Sequence, residues 1–199
     1  MLESAPQLDL DLLVLLNQQA RSAALDALAP ALSWAGLSPL LAGLAALWAA
    51  RKFGIKHLVC GLLILAAMGL SDFGSNQVKK ALGRVRPADA VAGTYLHEDA
   101  GWQRLAPDFV QTRERGSSCP SAHAANSLVF AALAVLLWPR LRPWPFLAPL
   151  LIGWSRVYVG KHYPLDVAAG WAFGLLVAGV VWVIWRRWGK RWMGMEGKR

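Results

Sequence analysis

Two histidines, His123 and His162, stand in short polar stretches beside long apolar runs, and each is accompanied by residues that handle anions. His162 follows Arg156 and precedes Asp166 in SRVYVGKHYPLD (155–166), His123 closes PSAH (120–123), and a third stretch, KKALGRVRP (79–87), supplies Lys79 and Arg86. Arginine offers a forked pair of donors and lysine a point charge, and both suit the oxygens of a phosphate. One histidine can then serve as nucleophile and the other as proton donor. Asp166 is placed to hydrogen-bond one ring nitrogen of His162, fixing the tautomer and leaving the other nitrogen free to attack. Carboxylates are scarce in these stretches and no metal-ligand spacing occurs, so the cationic side chains must stabilise charge that Mg²⁺ stabilises in many phosphoryl-transfer enzymes. The expected chemistry is metal-free and cofactor-free.

The elements that carry these stretches are membrane helices. The chain has 199 residues, enough for one domain, and 56% of them are apolar, above the usual soluble range. A span needs about 20 mostly apolar residues, and Pro30 to Ala50 contains no charge. Further spans are expected at 57–78, 121–138, 144–160 and 164–185. The fold class is therefore all-α, a polytopic membrane helix bundle of about five transmembrane helices. Residues 8–28 mix Leu8, Leu12, Leu15 and Leu16 with Asp9, Asp11, Asn17 and Gln18, the pattern of an amphipathic helix lying at the membrane surface or, alternatively, of a solvated N-terminal tail. One domain, 1–199, then comprises an interfacial N-terminal segment (1–29), an outer loop (79–119) and a basic tail (186–199). No basic region precedes an apolar stretch at the N-terminus, so a cleaved signal is not expected.

Charge orients the bundle. RKFGIK (51–56), PRLRP (139–143) and the tail 186–199 together hold eleven Lys or Arg and one acid, Glu196, which makes their side cytoplasmic by the positive-inside rule. The net charge of +9 is explained by this topology and gives no reason to expect nucleic acid. With five spans, the three polar stretches share the outer face, and the third and fifth helices both begin there. Pro120 and Pro164 fit the first helical position, which leaves first-turn amides unpaired. Two helix N-termini aimed at one place favour an anion. Cys60 and Cys119 lie at opposite ends of the bundle, too far apart for a disulfide. Nothing in the pattern points to a particular oligomer.

Together these stretches resemble the signature of the type 2 phosphatidic acid phosphatase superfamily of lipid phosphatases: KxxxxxxRP, PSGH and SRxxxxxHxxxD. Lys79 to Arg86-Pro87 and Ser155-Arg156 to His162 to Asp166 match in full, while Ala122 replaces the usual glycine of the second motif. A residue in a first helical turn needs no positive φ, so alanine should fit. The resemblance covers roughly residues 70–185 and implies a phosphohistidine mechanism. His162 would be the nucleophile, Asp166 its orienting partner and His123 the proton donor to the leaving group. Lys79, Arg86, Ser121 and Arg156 would hold the phosphoryl oxygens.

The implied partner is a lipid phosphate in the membrane. Small bacterial members of this kind resemble undecaprenyl-diphosphate phosphatases, which makes that lipid the first expectation and a bacterial inner membrane, with an outward site and cytoplasmic C-terminus, the expected location. Phosphatidic acid, phosphatidylglycerol phosphate and lipid A 1-phosphate are alternatives, as are phosphotransfer to a lipid acceptor and non-catalytic binding of a lipid phosphate. Arg104, Arg113 and Arg115 of loop 88–119 are candidates for contact with a second phosphate, or else ordinary loop charges.

Overall fold

In the computed structural model, which describes residues 5–111 and 113–189, seven α-helices and one β-hairpin account for the regular structure. The helices are α1 (Gln7–Leu13), α2 (Ala23–Leu32), α3 (Leu37–Phe53), α4 (Leu58–Leu82), α5 (Ala122–Leu137), α6 (Leu147–Tyr158) and α7 (Pro164–Ile184). The expected basic tail lies outside the described residues beyond Gly189.

Among the described residues, two helical stretches, Ile55–Asp89 and Pro164–Gly189, are long and apolar enough to cross a membrane. The apolar run from Pro30 to Ala50 is not one straight helix, because α2 and α3 meet at 67° across residues 33–36. The break frees the Ser33 carbonyl from helix bonding, and Arg156 uses it. The helix α5 has 16 residues, about 24 Å at 1.5 Å per residue. It can be short because it is the central helix, apolar all round and packed against α3, α4, α6 and α7, and it has little lipid to face. Ala42, Ala46, Ile64, Met68, Val129, Leu133 and Val177 form one buried core around it.

The approach of α7 to α5 depends on two glycines spaced as GxxxG, a pattern that lets membrane helices pack backbone to backbone. A Cβ on Gly170 would lie 2.4 Å from the Ser121 carbonyl oxygen, and one on Gly174 would lie 2.5 Å from that of Ala125. The Ser121 amide donates to the Asp166 carbonyl at 2.9 Å. The starts of α5 and α7 are thereby joined directly.

The outer loop contains structure that helical periodicity could not foretell. The strands β1 (Tyr95–Glu98) and β2 (Gly101–Arg104) pair antiparallel, with Tyr95 opposite Arg104. The hairpin docks on the α6–α7 turn, where the His97 amide donates to the Val159 carbonyl at 3.3 Å. Gly160 has φ +75°, and a Cβ there would lie 2.3 Å from the Tyr95 oxygen. Both the left-handed conformation and the close approach require glycine at this point.

The N-terminal segment holds the hairpin in place. Asn17, in the π-helical stretch Val14–Gln19, is fully buried. Its amide donates to the Tyr95 carbonyl at 2.8 Å and the Tyr158 carbonyl at 2.7 Å, and its oxygen accepts from the Tyr95 amide at 2.8 Å. Asp9 and Asn17, which helical patterning assigns to a polar surface face, are both completely buried. Each has found charged or backbone partners that offset the cost of desolvation.

Candidate active site

The nucleophile candidate sits in a turn built by its neighbours. The amides of Lys161 and His162 both donate to the Arg156 carbonyl, at 3.1 and 3.2 Å, and Pro164 then opens α7. His162 is 2% exposed and Asp166 fully buried, with His162 Nδ1 3.7 Å from Asp166 Oδ2. That distance allows strong attraction and is longer than a hydrogen bond. Nδ1 has no hydrogen-bond partner. Burial, only partly opposed by Asp166, pushes the His162 pKa down to about 4, so the imidazole is neutral near pH 7, as a nucleophile must be.

Around these two residues the structure assembles the others named from sequence. Arg156, Lys79, Arg86 and His162 are all electrostatic neighbours of His123, and Lys79 also feels Arg156 and Asp166. Arg156 is held by its NH1, which donates to the Ser33 carbonyl at 3.2 Å and to the Ser33 hydroxyl. Arg86 donates to Ser117 Oγ at 3.3 Å. Ser121, fully buried, is the N-cap of α5, so Pro120 precedes the cap instead of opening the helix as expected. The first-turn amides after Ser121 remain without intrahelical acceptors all the same. Arg86 Nε, Arg156 Nε, Ser121 Oγ and His162 Nδ1 are buried with no hydrogen-bond partner. Buried polar atoms are rarely left unpaired. Four of them among like-charged cations fit a site shaped for the oxygens of a phosphate.

The sequence reading gave no role to Arg84, Ser118 or Asp9. Asp166 Oδ1 accepts from Arg84 NH1 at 2.7 Å, and Oδ2 accepts from Ser118 Oγ at 2.5 Å and from the Tyr163 amide at 2.9 Å. Arg84 in turn donates through NH2 to Asp9 Oδ2 at 2.5 Å, while Asp9 Oδ1 accepts from the Leu165 amide at 2.8 Å. Arg84 stood inside the first motif and its charge was visible; its destination was not.

The loop arginines go elsewhere. Arg113 lies 3.6 Å from Asp89, Arg115 donates to the carbonyls of Lys80 and Ala81 at the end of α4, and Arg104 donates to the Gly93 carbonyl. Lys161 pairs with Glu98 of the hairpin at 2.8 Å. A recess of about 250 Å³ beside His123 is lined by Ala35, Ser38, Pro39, Asp72, His123 and Asn126. Beyond α3, an apolar groove of about 520 Å³ runs between α3, α5 and α6, with Leu41, Trp48, Phe130 and Ile152 among its walls.

The model of the PAP2 superfamily matches residues 60–190, about two thirds of the chain and all three polar stretches. The chain belongs to the PAP2 superfamily. Among PAP2 relatives, the lipid A 1-phosphatase of Rhizobium johnstonii is 35% identical over 57% of this chain and 43% of its own length. The putative undecaprenyl-diphosphatase YbjG of Escherichia coli is 31% identical over 77% of this chain and 69% of its own. The chain spans less than half the length of the Rhizobium relatives it matches. The crystal structure of Aquifex aeolicus LpxE shares the fold, with a TM-score of 0.68 at 23% identity over 91% of this chain and 98% of that one.

Proposed function

We propose that this PAP2 protein is a metal-independent lipid phosphatase working through a phosphohistidine. The observation that carries the proposal is the set of buried, unpartnered donors around a neutral histidine. The lipid phosphate is held by Lys79, Arg86, Arg156, Ser121 and the first-turn amides of α5. Nε2 of His162, the ring nitrogen turned away from Asp166, attacks phosphorus as the bond to the leaving oxygen breaks. His123 gives that oxygen its proton. The imidazole is now cationic, and its Nδ1–H moves into hydrogen-bond range of Asp166. Water, losing a proton to His123, displaces the histidine and inorganic phosphate leaves.

Undecaprenyl diphosphate is the first substrate we place here, supported by the E. coli relative named for it and matched over most of both chains. Lipid A 1-phosphate is the second reading. It is supported by the Rhizobium names and by the engagement of Arg104, Arg113 and Arg115 within the protein, which leaves a second phosphate without those partners. The charge distribution along the sequence supports a site on the periplasmic face of a bacterial inner membrane with a cytoplasmic C-terminus.

The test is phosphate release in detergent with EDTA from undecaprenyl diphosphate, lipid A 1-phosphate and phosphatidic acid, by wild type and His162→Ala. Release that survives EDTA and vanishes in the variant is expected, and the fastest lipid identifies the substrate. Undiminished release by folded His162→Ala protein would sink the mechanism.

A further inference from the structure

We propose that Asp9 and Arg84 form, with Asp166, a relay that sets how much negative charge is offered to His162, making the N-terminal segment part of the catalytic apparatus. The inference rests on the phosphohistidine reading above. It begins with the guanidinium of Arg84, whose two terminal nitrogens are divided between carboxylates: NH1 on Asp166 and NH2 on Asp9. The plane is held by Tyr163, whose ring lies 4.2 Å from the Arg84 carbon. The second oxygen of Asp9 grips the Leu165 amide in the first turn of α7, so Asp9 ties the Arg84 fork to the helix that carries Asp166.

Charge gives this geometry its consequence. Two carboxylates and one guanidinium sum to −1. If Asp9 were absent, Arg84 would cancel Asp166 and the sum would be zero. The charged and titratable groups acting on His162 are Asp166 from α7, Arg156 from α6, Lys79 from α4 and His123 from α5, with Arg86 beside His123. Asp166 is the one carboxylate in that group. When His162 becomes a cation on phosphorylation, this residual negative charge on its Nδ1 side favours it. Asp9 preserves that charge by drawing part of Arg84 away. It touches neither phosphate nor imidazole and is a positioning residue.

The experiment compares wild type, Asp9→Asn, Arg84→Gln and the double variant, whose trios carry −1, 0, −2 and −1. Phosphate release from phosphatidic acid in detergent is followed against pH; the ionisation of the lipid is common to all four and cancels in the comparison. Removing the negative charge of Asp9 disfavours the imidazolium. Asp9→Asn should therefore lower kcat about threefold, leave KM within about twofold, and move the acid limb of kcat/KM down by roughly half a pH unit. Arg84→Gln should move the limb up by a similar amount, and the double variant should bring it back to the wild-type position. Coincident limbs, or single variants shifting in the same direction, would show that Asp9 is only an anchor and overturn the proposal.

Should Arg84→Gln not fold, the near-isosteric Asp9→Asn decides the matter alone, because its limb must move down. Titration of His162 by nitrogen NMR in micelles reads the same shift without turnover. A failure of phosphatase activity in wild type is thus distinguishable from a failure of the relay.

Discussion

Replacing Arg156 by lysine keeps the charge and removes the fork, which isolates what the geometry contributes. Arg156 is 9% exposed, its NH1 is committed to Ser33, and its Nε is buried and unpartnered. A single ammonium cannot both hold the Ser33 carbonyl and fill the phosphate-holding role proposed for arginine. At least one charge-assisted hydrogen bond to the transition state is lost, worth about 1.5–3 kcal/mol. At about 1.36 kcal/mol per decade, kcat/KM falls roughly 10- to 100-fold. The fold should survive, because Ser33 can still accept from the new ammonium, and the melting temperature in detergent should change by only a few degrees. Ser33→Ala is the companion variant: it leaves the Ser33 carbonyl in place, removes only the hydroxyl acceptor, and should cost less than about fivefold. The assay is initial phosphate release over a range of lipid concentrations at constant detergent ratio. An Arg156→Lys enzyme within twofold of wild type would refute the reasoning, since charge alone would then suffice and the tether to Ser33 would be irrelevant to catalysis.

Two further outcomes follow from the same structure. Gly170→Ala places a methyl group on the Ser121 carbonyl, so α5 and α7 must separate; a loss of about 1–3 kcal/mol in stability is expected, read as a lower melting temperature, with a larger loss of activity than any surface substitution gives. A variant as stable and active as wild type would mean that the two helix starts need not touch. The depressed pKa of His162 links stability to pH: the folded protein holds it neutral to about 4, whereas the unfolded chain protonates it near 6.5. Its contribution is complete above pH 6.5 and is lost as pH falls toward 4, at most roughly 3 kcal/mol. His162→Gln should flatten that part of the stability profile, and a slope unchanged by the substitution would count against a buried neutral imidazole.

The family signature was legible in the linear sequence because each motif is local. His162 and Asp166 lie one helical turn apart, Arg156 begins the same stretch, and PSAH and KKALGRVRP carry the rest within a few residues. The membrane class was legible for a similar reason, since long uncharged runs report the solvent their helices must meet. Tertiary structure decided the second layer. Asp9 lies 75 residues from Arg84 in sequence, and nothing in the amphipathic pattern of residues 8–28 distinguishes a carboxylate bound for water from one bound for a buried guanidinium. The break at residues 33–36, which offers Ser33 to Arg156, likewise lies inside a run that reads as continuous apolar helix. Periodicity records which side of an element prefers water; it carries no record of which distant charge will arrive to replace that water. For this protein the sequence alone determined the family motifs and the solvent their helices meet, and the folded chain determined the partners that hold the motif side chains in position.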